Sequence, residues 1–144
     1  MASAEFVHLH GHSEYSLLDG GCHVADMAGA AAEAGMPALA VTDHGNLFGA
    51  IAHYRACADA GLKPILGCEV YVAPQELHSK GAADKNSYHL VLLAKDEVGY
   101  QNLLKLVTRA HLEGFYYKPR VDKDLLCKYH QGLIALSACK SGEP

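Results

Sequence analysis

Apolar runs of strand length alternate along this chain with longer segments of helical composition, and that alternation is what most narrows its choice of fold. An alanine-rich run from Val24 to Ala34 has high helix propensity and ends at Gly35 and Pro37, the stop signals that follow a helix. Pro37 to Thr42 reads as a buried strand. Asn46 can cap a helix running to Ala60 and closed by Gly61, and Lys63 to Val72 contains the next strand or a pair of short ones. Tyr88 to Lys95 is a further strand-length apolar run, and Glu97 to Leu112 reads as a helix with Leu103, Val107 and Ala110 on one face. A short helix near Asp122 to Tyr129 leads into a strand from Leu133 to Ser137. Ahead of all these, Glu5 to His10 alternates as a strand does and runs into a turn-rich loop containing Gly11, Ser13, Asp19, Gly20 and Gly21.

Strands alternating with helices predict the α/β class, a mainly parallel sheet with right-handed crossover helices. About five strands are expected, and a closed (β/α) barrel takes roughly 250 residues. The 144 residues therefore read as part of a longer chain, whose last strand has an edge for a continuation to cover. Gln75 to Ser87, rich in Ser, Lys, Gly, Asp and Asn, reads as a flexible surface loop without a role.

Half the residues are hydrophobic and 19% are charged, enough for one ordinary core and unlike a disordered chain. The longest apolar stretches, such as Gly132 to Ala138, fall far short of the roughly 20 residues that span a bilayer, so no membrane role is expected. The start of the chain lacks the features of a secretion signal, which points to the cytoplasm. Cys22, Cys57, Cys68, Cys127 and Cys139 are odd in number and form no CxxC, so reduced thiols are expected. The net charge of −4 argues against bulk electrostatic grip on nucleic acid, yet it is unevenly divided: residues 1 to 79 sum to −7 and residues 80 to 144 to +3.

The residues that carry chemistry begin with His8, His10 and His12, which alternate and so would share one face of a strand. Neutral imidazole is the commonest ligand for zinc-like ions, and further ligand types follow where later strands end: Asp19, Asp43 with His44, Glu69 and Cys139. In a parallel α/β fold those ends converge on one face. Each residue alone has a plain explanation: Glu69 as a solvated acid, Cys139 as a small core residue, His89 as structural, Thr42-Asp43-His44-Gly45 as a polar turn. Together they are hard to explain as packing. His23, His53, His78, His111 and His130 fall outside the pattern and read as solvated or capping residues.

The runs Phe6-Val-His-Leu-His-Gly-His-Ser-Glu-Tyr-Ser-Leu-Leu-Asp-Gly20 and Thr42-Asp-His-Gly-Asn-Leu-Phe-Gly49 resemble the polymerase and histidinol phosphatase (PHP) domain at the N-terminus of bacterial DNA polymerase III alpha subunits. The resemblance continues through Gly67-Cys-Glu-Val-Tyr-Val-Ala73, His89 to Asp96, Gly99-Tyr-Gln-Asn-Leu103, Glu113-Gly-Phe-Tyr-Tyr-Lys-Pro-Arg120 and Gly132 to Ser137, nearly the whole chain. It implies that residues 1–144 are the N-terminal portion of a distorted seven-stranded (β/α) PHP barrel, with later strands and the polymerase domains downstream. It also implies a cluster of up to three divalent ions, zinc, manganese or iron, held by His10, His12, Asp19, His44, Glu69, His89 and Cys139. Asp19, His10 and His12 would act in catalysis through the metal, with His8 and Asp43 behind the ligands. Gly11 stands where the family usually has a larger residue, and the family's downstream Asp-x-His motif is absent from these residues.

Clustered cations suit phosphate-ester hydrolysis. The resemblance implies a 3′-5′ exonuclease of proofreading type within a replicative polymerase, with primer-template DNA, the remaining polymerase domains and other replisome subunits as partners. Tyr116, Tyr117, Lys118 and Arg120 are candidate DNA contacts, aromatic and cationic groups in one loop, or else pack against the rest of the polymerase. The rival readings are a metal-stabilised structural module without turnover and a free-standing phosphatase. Nucleotidyl transfer itself has no residues here to carry it.

Overall fold

The computed structural model describes residues 6–143 as a mixed five-stranded sheet with helices α1 (Val24–Glu33), α2 (Ala50–Asp59), α3 (Glu97–Leu112) and α4 (Lys123–Lys128). The strands are β1 (Ala38–Val41), β2 (Lys63–Val72), β3 (Tyr88–Ala94), β4 (Arg120–Val121) and β5 (Leu133–Leu136), in the order β1-β2-β3-β5, with β4 also on β2. Two ladders are parallel, β1 with β2, joined through crossover helix α2, and β2 with β4, joined through β3 and α3. The other two are antiparallel, β2 with β3 and β3 with β5, so the sheet is more mixed than alternation alone predicts. The reason lies between β2 and β3, where a loop with a 3-10 turn at Ala82–Lys85 replaces a crossover helix and lets the chain reverse.

The expected first strand is not a regular one. Glu5 lies outside the described residues, and from Phe6 to His10 the chain is irregular. Ala40 N donates to His8 O at 3.0 Å and Thr42 N to Gly11 O at 2.8 Å, so this segment does lie beside β1. Gly11 N, however, donates to the Thr42 hydroxyl rather than to a backbone carbonyl, and the ladder does not form. A methyl group added at Gly11 would sit 3.4 Å from Ala40 O and Met27 Cε, so no close approach demands glycine there.

Helices α1 and α2 end alike, at Gly35 with φ 73° and Gly61 with φ 73°, each followed by a residue whose N–H returns to the last helical turn. Asp96 caps α3 by accepting from Gly99 N, and Asp122 caps α4 by accepting from Leu125 N. Asn46 does not cap α2, which begins four residues later; its side chain bonds Tyr15 O, His44 O and Phe48 N and joins two loops instead. One face of the sheet, with Cys68, Val70, Val72 and Leu92, packs on Leu103, Leu106 and Ala110 of α3 and Leu125 of α4. Burying Leu103 and Leu106 completely contributes about 1.5–3 kcal/mol for each side chain.

On the opposite face Ala40, Val91 and Leu93 form an apolar patch. Further along the same face the alternate positions become ionisable, because Glu69 pairs with Val91 and Tyr71 with His89 in the β2–β3 register. The site therefore occupies one end of a face whose other end is core.

Two expectations fail in this frame. His53 is wholly buried, not solvated: its Nε2 donates to Leu39 O at 3.1 Å, and burial lowers its pKa. The loop from 75 to 87 has a task, because its carbonyls at Leu77, Ser79 and Asp84, with that of Gly114, receive the Arg120 guanidinium. Arg120 is 1% exposed and closed to DNA, which corrects its place among the candidate contacts. No helix among the described residues is long and apolar enough to cross a membrane.

Candidate metal centre

Glu69 is the hub. Its side chain is 1% exposed, and four imidazoles reach it. His10 Nε2 lies 2.5 Å, His12 Nε2 3.1 Å and His44 Nδ1 3.8 Å from Oε2, while His89 Nδ1 lies 2.5 Å from Oε1. Asp19 extends the cluster outward, accepting from His44 Nε2 at 2.9 Å. Three sets converge closely enough to hold a cation: His10, His12 and Glu69; His12, Asp19 and His44; and His44, Glu69 and His89. The rings pack as well, with His12 stacked on His44 at 4.1 Å between centroids and Tyr71 stacked on the far side of His44 at 5.9 Å.

Burial opposes the Glu69 charge most strongly, but hydrogen bonds from His12 and His10 and the His44 and His10 charges outweigh it, holding the carboxyl down at about 2. The His12 pKa is raised in turn, chiefly by the hydrogen bond to Glu69, against the opposing effect of burial. Burial, aided by the Glu69 and Asp19 charges, pushes Tyr71 up to about 12, so its phenol remains a donor.

The orphaned atoms test whether cations fit. Among the buried side-chain atoms of the described residues, His12 Nδ1 and His44 Nδ1 make no hydrogen bond and both belong to this cluster, Glu69 Oε1 meets only His89 Nδ1, and Asp84 Oδ1, elsewhere, is also unpartnered. Imidazole nitrogens and carboxylate oxygens held in a polar recess are the donor set that zinc, manganese or iron accepts. The residues fit.

The turn that positions His44 rests on Asp43, which is 2% exposed and accepts from Ser13 N, Ser13 Oγ and Ser16 Oγ at 2.7 Å each. Asp43 thus locks the loop carrying His12 and Asp19 against the loop carrying His44. Gly45, at φ 64°, lets the turn pass beneath Tyr71 and Pro119, where a Cβ would come within 2.8 Å of the proline. His111 Nε2 donates to Gly45 O from α3 at 2.8 Å.

The structure gathers His10, His12, Asp19, His44, Glu69 and His89 in one place. Cys139 stands at the margin, exposed, with its sulfur 3.8 Å from His89 Nδ1 and taking part in none of the three convergent sets. His8 is outside: exposed, its ring edge-on to Phe6. Tyr71, Ser13 and Ser16 were missed in the sequence. Tyr71 had a signal, since it stands two residues beyond Glu69 in one strand and must share its face. Of the candidate DNA contacts, Lys118 sits over the Tyr71 ring at 4.3 Å, Tyr117 is 65% exposed, and Tyr116 lies under the Arg120 guanidinium at 5.1 Å.

The sequence matches the PHP domain family over residues 8–144. It is 54% identical over 141 residues to the DNA polymerase III subunit alpha of Borreliella burgdorferi, covering 96% of this chain and 12% of that protein. With the same subunit of Thermus aquaticus it shares 49% over 144 residues, again 96% and 12%. The chain thus spans about an eighth of the length of these curated relatives. Among solved structures, an amidohydrolase from Chromobacterium violaceum superposes with a TM-score of 0.45 at 29% identity, covering 73% of this chain and 36% of that one.

Proposed function

The chain belongs to the PHP domain family, and from that premise we propose that it is the N-terminal portion of a replicative DNA polymerase III alpha subunit and works there as a metal-dependent phosphoesterase of 3′-5′ exonuclease type. The observation that carries this reading is the convergence of four histidines on one buried carboxylate, with His12 Nδ1 and His44 Nδ1 left without hydrogen bonds. His10, His12, Asp19, His44, Glu69 and His89 would hold the cations, with Cys139 beside His89. Divalent cations bound there supply Lewis-acid stabilisation of phosphoryl charge and activation of water.

The chain's own residues do the rest. Glu69 draws together segments far apart in sequence and keeps its charge without solvent. Asp43 fixes the two ligand-bearing loops relative to each other, the role of an orienting group behind ligands. The protonated Tyr71 phenol and the Lys118 ammonium above it offer donors and positive charge to a phosphate at the mouth of the site. In this reading the partners are primer-template DNA, the remaining polymerase domains and other replisome subunits, in the cytoplasm, and nucleotidyl transfer belongs to the other domains.

A second reading has its own observation: the ligands come from separated segments, so an ion would brace the fold even without turnover. Metal content and cleavage of a 3′-labelled primer, measured for the wild type and for His10→Ala and Asp19→Ala, separate the two. Metal-dependent cleavage lost in both variants supports the exonuclease. Bound metal in a folded protein that cleaves nothing leaves the structural module, and preference for a small phosphate monoester over the primer favours a phosphatase.

A further inference from the structure

The metal centre and α3 lie on opposite faces of the sheet, yet one side chain of α3 reaches the turn that carries a ligand. His111 Nε2 donates to Gly45 O at 2.8 Å, across 66 residues of sequence. The core holds its backbone in place, since the neighbouring Ala110 is 2% exposed and Leu103 and Leu106 on the same helix are fully buried. The last turn of a helix leaves its own carbonyls short of partners, and a histidine there can serve them. His111 serves a different loop instead. Phe115, four residues on, tilts against its ring at 6.4 Å between centroids.

The carbonyl that His111 holds belongs to the residue after His44, a member of two of the three convergent sets. Gly45 offers the turn no side chain, so at this residue only backbone bonds can hold it. Gly45 N donates to Glu69 O at 2.9 Å and Glu69 N to Asp43 O at 3.1 Å, a bridge that fixes one side of the turn to the strand carrying the hub carboxylate. His111 supplies the hydrogen bond on the other side. Ahead of β4, Pro119 packs against the same glycine, so the connection from α3 to β4 bears on the turn at both its ends. His44 Nε2 lies 2.9 Å from Asp19 and Nδ1 3.8 Å from Glu69, and metal–ligand distances are set to within about 0.2 Å. A turn free to drift further than that would misplace one ligand of two sets.

We propose that His111 is a positioning residue of the metal centre: through the Gly45 carbonyl it holds the His44 turn in the place from which the imidazole meets a divalent cation. The proposal rests on the reading of this cluster as a metal centre, and adds to it a group that touches neither the ligand rings nor the cation. Asp43 ties the His44 turn to the loop bearing His12 and Asp19, whereas His111 ties it to the helix layer behind the sheet. Without His111 the Gly45 carbonyl would turn to water, and a glycine at φ 64° has backbone conformations open to it that other residues lack. Cation binding would then have to restore the order that the helix now supplies, which lowers affinity.

The test compares His111→Ala and His111→Gln with the wild type in the full 144-residue chain. Glutamine keeps an N–H donor near the reach of Nε2, and alanine keeps none. In EDTA, hydrogen exchange at Gly45 N–H, followed by NMR, should quicken about threefold to tenfold in His111→Ala, the weight of one hydrogen bond, while exchange at Leu92 in β3 stays as it was. Manganese(II) affinity measured by calorimetry should fall by a similar factor, about threefold to tenfold, in His111→Ala and recover in His111→Gln. His130→Ala removes a histidine that likewise donates to a carbonyl, Cys127 O at 2.6 Å at the end of α4, and should change neither measurement. Unaltered exchange at Gly45, faster exchange with affinity intact, no recovery in His111→Gln, or an equal loss from His130→Ala would each overturn the proposal. Failure of the underlying reading looks different. A wild type that binds no manganese, with Gly45 still exchanging faster in His111→Ala, sinks the metal reading and upholds the tether.

Discussion

Glu69 and Arg120 are each 1% exposed and each carry a full charge, yet their surroundings differ in kind. The Arg120 guanidinium is enclosed by four backbone carbonyls, at Leu77, Ser79, Asp84 and Gly114, and its hydrogen-bonding capacity is spent on holding a loop to β4. Glu69 is enclosed by titratable rings, and the buried atoms around it include two imidazole nitrogens, His12 Nδ1 and His44 Nδ1, with no hydrogen bond. A buried charge satisfied by main chain is a staple. A buried charge surrounded by unsatisfied ligand atoms is prepared for something else to enter.

The largest expected effect tests the staple. Arg120→Ala leaves four carbonyls, three of them in buried bonds, without their donor and should cost about 3–5 kcal/mol in urea unfolding. The loop from 75 to 87 should become the first site of proteolysis. Cation binding to the folded variant should persist, and its loss would break the comparison.

Glu69→Gln tests the other side. With cation at about 100 times its Kd, the wild type should gain about 2.7 kcal/mol of stability, seen as a rise in Tm on adding metal. The variant should lose that rise; a rise left intact would remove Glu69 from the centre of the site. Next comes Asp43→Asn, which disturbs only the carboxylate locking the ligand loops. Cation affinity measured by calorimetry should fall about 10–100-fold, the range for groups that orient ligands.

The smallest effect is a pH dependence remote from both charges. The His53 pKa is lowered in the folded state by burial, so above about 6.5 the ring is neutral whether the chain is folded or not and stability is undiminished. As the pH falls below that value the unfolded chain takes up a proton that the folded chain refuses. Stability should then drop by up to about 1.4 kcal/mol per pH unit until the folded value is reached. In unfolding curves from pH 7 to about 5, His53→Gln should remove this component, and an unchanged slope would show that acid acts elsewhere.

Local signals made much of the fold legible. The helix expected at Glu97–Leu112 is found over those residues, because Asp96 caps it and its apolar positions recur at helical spacing. The strand and helix flanking Gly35 and Gly61 were legible for the same reason, since glycine after a helix marks where its last carbonyls must be satisfied. The β4 strand was not, being two residues long and defined only by pairing with Tyr71 and Val72. The antiparallel course of β3 was hidden too, because an apolar run specifies a strand but not its direction.

The site divides similarly. His8, His10 and His12 announced themselves by alternation, and Asp19, His44 and Glu69 by residue type where later strands end, while only the family resemblance set His8 apart from the ligands. Glu69 by itself resembled any solvated acid, and Arg120 resembled a nucleic-acid contact. Burial reversed both impressions, and burial is a sum over the whole fold.

Sequence alone determined most of the inventory: the longer helices and strands, and which imidazoles and carboxylates are available as ligands. Those choices are local, set by propensity, capping and alternation within a few residues. The tertiary structure decided which charges lost their water. Only the register placing His89 opposite Tyr71, and the loops that Asp43 and Asn46 hold together, could bring side chains from separated segments onto one carboxylate, because desolvation and ligand convergence depend on contacts between residues distant in the chain.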